Sequence, residues 1–271
     1  MGLVYVFDVD GVLSDVFVDK IDSEILTIIA SKIDEGYKVA FNTGRPSQYI
    51  YDNVIDPLRG LVSAGASLDN ILIVAEMGGQ QTTFSKGKPK VSPTEFSMTS
   101  HDIQAAADIF NRAKHTTVKF ESDKPTMVTM SIIKGSDQAT FLKERDELHK
   151  TLSKRFANEP VEIITTVGSV DLFAQGAGKR GGAKIISQWL LESTDVKHDT
   201  YVCFGDSPSD YAMAEYLAER GMHVSFVFTG KDEQLQLPRE KTDVPIIRVN
   251  GLYTAATKAY FKAEKSPDEP S

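Results

Sequence analysis

Two carboxylates one residue apart, Asp8 and Asp10, close the apolar run Leu3-Val4-Tyr5-Val6-Phe7 and stand just before Gly11. A second acidic pair, Asp206 and Asp210, follows another apolar run, Tyr201 to Phe204, in Gly205-Asp206-Ser207-Pro208-Ser209-Asp210. Short runs of this kind are strands buried on both faces of a parallel sheet, and ligand sites in such sheets lie beyond the carboxyl ends of the strands. Four carboxylates at one sheet edge repel one another unless a hard divalent cation binds, so oxygen-ligated Mg2+ is the expected partner of Asp8, Asp10, Asp206 and Asp210. Asp210 taken alone has a second reading as a helix cap, a place that Asp and Ser favour.

Two further segments suit the binding of phosphate. Asn42-Thr43-Gly44-Arg45 closes a strand that begins at Tyr37, and its hydroxyl and backbone amides could hold phosphate oxygens or form an ordinary strand-to-helix turn. Gly176-Ala177-Gly178-Lys179-Arg180-Gly181-Gly182 leads into a helix with Ile185, Ile186, Trp189 and Leu190 on its buried face. Lys179, flanked by glycine at the helix start, can reach the sheet edge; Lys184, inside the helix, reads as solvated.

The elements that must position these groups follow from periodicity. Ile21, Ile25, Ile28, Ile29 and Ile33 recur at helical spacing over 22–34, with Gly36 placed to cap the end, so strand, helix and strand form a βαβ unit. A helix over 210–220, a strand over 222–228 and a short run from Ile246 to Val249 continue the alternation. The middle differs. Phe84 to Val91, with Lys86, Lys88, Lys90, Gly87 and Pro89, reads as a linker or exposed loop, its lysines solvated or touching an anionic substrate from a lid. Thr99 and Asp102 form a capping-box signature for a helix to about Lys114. A strand over 127–133, a helix over 138–156 and a hairpin over 161–173 with Gly168 in its turn complete an α+β segment.

The predicted fold class is therefore α/β, a doubly wound Rossmann-like parallel-sheet core with an inserted, smaller α+β cap domain. The core is expected over 1–82 and 177–263 and the insertion over 83–176, projecting over the carboxyl ends of the core strands; 264–271 reads as a disordered tail.

Composition narrows the partners. The chain has 271 residues, 41% of them hydrophobic and 25% charged, enough apolar material for a large core and too much for wholesale disorder. Thirty basic against 38 acidic residues leave a net charge of −8, which repels nucleic acid and anionic membrane, so neither is an expected partner. The same sign repels a phosphate ester, so local cations or a metal must overcome it. Cys203 is the single cysteine, which excludes an internal disulfide. No basic leader precedes Asp8, and no apolar run approaches the roughly 20 residues of a membrane span, so a cytoplasmic location is expected. His101, His115, His149, His198 and His223 show no metal-ligand spacing.

The order of the four segments, Asp-x-Asp-Gly, Thr-Gly-Arg, Lys before a helix and Gly-Asp-Ser-x-x-Asp, resembles the haloacid dehalogenase-like hydrolase superfamily across nearly the whole chain. The insertion between the second and third segments resembles the type-two cap of the Cof-like, sucrose-phosphatase and trehalose-phosphatase branches. Gln175-Gly176-Ala177-Gly178-Lys179 is especially similar to sucrose-phosphatase-like members. Val12, Ser209 and Glu76-Met77-Gly78-Gly79 depart from the residues often found at those places. The resemblance implies Asp8 as nucleophile and Asp10 as general acid and base, with the Asp10 backbone carbonyl on the metal. It implies Asp206 as a metal ligand beside Asp8, and Asp210 supporting the metal or orienting Lys179. Thr43, the Gly44 amide and Lys179 would hold the phosphate, with Arg45 helping or bracing the loop. The implied activity is Mg2+-dependent hydrolysis of a small phosphorylated metabolite, foremost a sugar phosphate, through an aspartyl-phosphate. The competing expectations are a phosphomannomutase-like phosphotransferase and a non-catalytic protein that retains the metal and phosphate site.

Overall fold

A computed structural model describes residues 2–264 apart from 17, 19, 65, 194–197 and 235–243. Of the expected tail, only Glu264 lies within the described residues, at the end of the last helix.

The first part of the chain builds β1 (Gly2–Phe7), α1 (Ser23–Asp34), β2 (Lys38–Asn42), α2 (Ser47–Ile50), a π-helical turn (Tyr51–Ile55), α3 (Asp56–Leu61), β3 (Ile71–Ala75), β4 (Gln80–Ser85) and β5 (Lys88–Pro93). The middle adds α4 (Ser100–Arg112), β6 (Val118–Phe120), β7 (Val128–Ile132), α5 (Gln138–Arg155), β8 (Val161–Thr165) and β9 (Ser169–Ala174). The last part adds α6 (Gly178–Ser193), β10 (His198–Gly205), α7 (Pro208–Ala218), β11 (His223–Phe228), β12 (Ile246–Arg248) and α8 (Thr254–Glu264).

The first and last parts share one sheet of order β12-β11-β10-β1-β2-β3-β4-β5, parallel from β12 to β3 and antiparallel beyond. Chain order reverses at β1, which lies between β2 and β10, and such a switch point leaves a crevice at the carboxyl ends of its strands. Alternation along β1 feeds two apolar layers. Tyr5 and Phe7 join Ile25, Ile29, Ile33, Phe41, Phe204 and Phe261 on one face; Val4 and Val6 join Ala40, Cys203, Ile186, Trp189, Met213 and Leu217 on the other. Gly36, at φ +86°, ends α1 as expected, with its amide on Ile33 O and that of Tyr37 on Lys32 O.

Residues 84–91 depart from the expected linker. They lie in a β-hairpin whose two-residue turn, Lys86 (φ 52°) and Gly87 (φ 71°), has the left-handed backbone that suits the twist of paired strands. Asp69 accepts both turn amides. Lys88, Pro89 and Lys90 are exposed on the edge strand β5, where lysine and proline discourage further pairing. The expected boundary at residue 83 thus falls inside β4, and the large sheet continues through Pro93.

The middle part forms a four-stranded antiparallel sheet of order β6-β7-β9-β8, with α4 and α5 packed on it around Ala106, Val128, Met130, Phe141, Leu152 and Leu172. Thr99 caps α4 by accepting the Asp102 amide, as its sequence signature predicts. Among the described residues no helix is long and apolar enough to cross a membrane.

Candidate active site

The carboxyl ends of β10, β1 and β2 lie side by side, so Asp206, Asp8 and Thr43, each just past its strand, arrive at one edge. Asp8 extends the pairing one residue beyond β1, its amide donating to Phe204 O at 3.0 Å, and is almost fully buried. From the helical layer, α6 starts at Gly178 and delivers Lys179 to the same place.

Lys179 Nζ lies 2.5 Å from Asp8 Oδ1, 2.7 Å from Asp210 Oδ1 and 2.7 Å from the Asn42 carbonyl oxygen. The carbonyl accepts a hydrogen bond from the ammonium, and the two carboxylates are its ion-pair partners. The main chain of Lys179 is fixed as well, since Asn42 Nδ2 donates to its carbonyl at 2.9 Å. This approach of α6 to β2 requires Gly182, where a Cβ would lie 2.1 Å from Asn42 Oδ1.

Asp210 divides its two oxygens between a helix cap and Lys179. Oδ2 accepts from the amides of Asp206 (3.2 Å) and Ser207 (3.0 Å) and from the Ser207 hydroxyl (2.7 Å), closing the start of α7, while Oδ1 faces Lys179. Carboxylate oxygens of Asp8, Asp206 and Asp210 all lie within 4.8 Å of one another. Gly11 makes room for Asp206: its φ of +75° suits glycine, and a Cβ there would meet Asp206 Oδ2 at 2.5 Å.

Crowding sets the protonation of this cluster. Burial, with the Asp210 charge adding to it, raises Asp8 to about 8 against the pull of Lys179. Burial and Asp210 likewise raise Asp206 to about 7. Burial disfavours the Lys179 ammonium, but Asp210 and Asp8 more than offset that and hold it above its ordinary value. Three hard oxygen donors, two of them held partly protonated near neutrality chiefly by burial, fit Mg2+.

Asp10 stands outside that trio. Arg45 grips its carboxylate, with Nη2 at 2.7 Å from Oδ1 and Nε at 2.9 Å from Oδ2, and the guanidinium lies 4.5 Å from the Tyr49 ring centroid. Thr43 is buried; its amide donates to Val74 O, and its hydroxyl oxygen accepts the Arg45 amide at 3.1 Å across Gly44. Lys184 pairs with Glu95 at 3.0 Å.

The sequence profile described as haloacid dehalogenase-like hydrolase matches residues 5–225. The chain belongs to that family. Its fold is shared by the sucrose-phosphatase of Synechocystis sp. PCC6803, solved with sucrose and phosphate, at 18% identity over 98% of each chain and a TM-score of 0.59. The C-terminal domain of Candida albicans trehalose-6-phosphate phosphatase matches at 16% identity over 95% of this chain and 90% of its own, with a TM-score of 0.66. A haloacid dehalogenase-like hydrolase from Bacteroides thetaiotaomicron matches at 15% identity over 95% and 99%, with a TM-score of 0.61. No curated protein matches the chain in sequence. The doubly wound core with an inserted smaller sheet is thus the fold of this hydrolase.

Two residues that sequence reasoning left without a role stand at the site of this hydrolase. Asn42 holds Lys179 at both ends, and Glu76 turns its buried carboxylate onto Thr126. Both carry one signal, a polar residue at the carboxyl end of a buried strand, the same that marked Asp8.

Proposed function

We propose that this hydrolase is a Mg2+-dependent phosphatase of a small phosphorylated metabolite, a sugar phosphate foremost, with Asp8 as nucleophile and residues 94–176 as the cap. The observation that carries the reading is the convergence of Asp8, Asp210 and the Asn42 carbonyl on Lys179, with Asp206 beside them. A carboxylate held against an ammonium at the mouth of a parallel sheet is aimed and charge-compensated for attack on an anionic ester.

In this mechanism an Asp8 oxygen attacks phosphorus, an aspartyl-phosphate forms on Asp8, and the bond from phosphorus to the alcohol oxygen breaks. Asp10 gives that oxygen a proton, then takes one from the water that attacks phosphorus, which frees phosphate and restores Asp8. Arg45 orients Asp10 through its two nitrogen donors. Thr43, the Gly44 amide and Lys179 hold the non-bridging oxygens and stabilise the charge that develops there. Asp8, Asp206 and the Asp10 backbone carbonyl would hold Mg2+, with Asp210 supporting them, and the cation would neutralise charge between carboxylate and phosphate. That resolves the conflict between a net charge of −8 and an anionic substrate. The preference for a sugar phosphate is supported by the fold shared with sucrose-phosphatase and trehalose-6-phosphate phosphatase. A cytoplasmic setting suits the lone, buried thiol of Cys203.

The test is phosphate release from a panel of sugar and other metabolite phosphates, with Mg2+ and with chelator, for the wild type and Asp8→Asn. Release that needs both Mg2+ and Asp8 is expected, with a loss on the order of 10³-fold or more in Asp8→Asn and an unchanged circular dichroism spectrum. Turnover by Asp8→Asn at the wild-type rate overturns the nucleophile, and turnover that depends on an added bisphosphate moves the reading to a phosphotransferase.

A further inference from the structure

The turn after β3 is held in an unfavourable backbone. Glu76 (φ 52°) and Met77 (φ 57°) are consecutive non-glycine residues in the left-handed region, and such backbone persists only where its surroundings over-determine it. The surroundings here are the loop that closes β2. The Glu76 amide donates to Arg45 O and the Met77 amide to Thr43 O, each at 3.1 Å, so two successive amides clamp the two ends of residues 43–45. Met77 Sδ lies over Gly44, 3.6 Å from where a Cβ would stand.

The side chain of Glu76 points to the other sheet. Its Oε2 accepts from the Thr126 amide at 2.8 Å and the Thr126 hydroxyl at 2.6 Å, with both residues buried. Thr126 immediately precedes the lead-in to β7, and its carbonyl takes the amide of Met98, on the segment that enters the insertion, at 2.9 Å. Glu76 Oε1 is buried without a partner, an arrangement that stability alone disfavours.

We propose that Glu76 is a positioning residue that ties the inserted domain to the phosphate-binding loop, so that the seating of Thr126 sets the placement of Thr43, Gly44 and Arg45. The tie rests on the reading of 43–45 as that loop. Its backbone holds residues 43–45 beside one sheet while its carboxylate holds the segment that leads into β7 of the other. Displacement of the insertion therefore pulls on the turn whose amides fix residues 43–45.

The test uses Thr126→Val, which removes one donor to the carboxylate, and Thr126→Ser, which restores it. One readout is hydrogen exchange at the amides of residues 43–46, which needs no turnover. The other is kcat and KM for p-nitrophenyl phosphate, a small ester. Thr126→Val is expected to speed exchange over 43–46 and to lower kcat, each by about tenfold, the scale set by one hydrogen bond to a charged group, with KM changed less than kcat. Thr126→Ser is expected to restore both. Glu76→Gln carries the same comparison if Thr126→Val does not fold. A lower thermal midpoint with loop exchange and kcat unchanged marks a purely structural brace and overturns the proposal. If the wild type releases no phosphate from any ester, the phosphatase reading fails and the exchange readout alone decides whether the tie exists.

Discussion

If Asp8 and Asp206 hold Mg2+ as proposed, its binding should be steeply pH-dependent through neutrality, because cation and proton would compete for the same two carboxylates. Without metal, Asp8 and Asp206 sit at about 8 and about 7, raised chiefly by burial from an ordinary 3.8. Folded-state values raised in this way mean that the metal-free fold gains from protonation: the contribution is complete below about pH 4 and is lost as pH climbs through 7 and 8. A bound cation needs both groups ionised. With the two sites titrating independently, affinity falls about tenfold from pH 8 to 7 and about fiftyfold from pH 7 to 6, with about two protons released per ion at pH 6. Replacing Asp8 by Asn leaves only Asp206 to titrate, and the change from pH 7 to 6 shrinks to about fivefold. The assay is the apparent Kd for Mg2+ from thermal-shift titrations at pH 6, 7 and 8 at constant ionic strength, on the wild type and Asp8→Asn. A wild-type Kd constant within about twofold over that range would refute the assignment of Asp8 and Asp206 as the titrating pair at the cation site.

Two substitutions probe the supports of the cluster. Lys179→Met leaves Asp8 and Asp210 buried and facing each other without their shared cation, and removal of one member of a buried ion pair costs about 3–5 kcal/mol; urea unfolding in chelator should show that loss, and one below about 1 kcal/mol would contradict the triple contact. Gly11→Ala places a Cβ 2.5 Å from Asp206 Oδ2 on a backbone of φ +75°; strain of about 1–2 kcal/mol and a weaker Mg2+ Kd are expected, and a wild-type Kd in the same thermal-shift titration would show that Asp206 has room to spare.

The parts of this site that were legible in sequence are those fixed by position along a single strand. A continuous apolar run followed by an acid places that acid at a sheet edge, and Asp8 and Asp206 needed nothing more. Lys179 was legible because the start of a helix after glycines faces the same edge. The partners of Asp10 and Glu76 were not, because Arg45 lies 35 residues from Asp10 and Thr126 lies 50 from Glu76, and such contacts follow from how loops on different elements meet. The β4–β5 hairpin was missed for a different reason. Its turn uses Lys86 where Asn or Asp is the usual signal, and its lysines, read as loop polarity, face solvent along an edge strand. Helix α8 was missed as well, because its buried Ala256, Thr257 and Phe261 give a weak apolar stripe.

The order of strands explains how these groups divide the work. Across β10, β1, β2 and β3, the residues just beyond the strand ends are Asp206, Asp8, Thr43 and Glu76. Neighbouring strands in a sheet lie about 4.8 Å apart, so each of these residues reaches its neighbours and not the far end of the row. Acids on adjacent β10 and β1 can share one cation, whereas the acid on β3 stands two strands from Asp8 and is left to bind the insertion instead. Thr43 lies between them, touching the cluster through Asn42 and Lys179 on one side and the Glu76-Met77 turn on the other. Movement of the insertion at Thr126 can therefore reach Asp8 by way of the loop after β2. This row predicts that a substitution at Thr126 shows itself first in residues 43–45 and through them at Asp8.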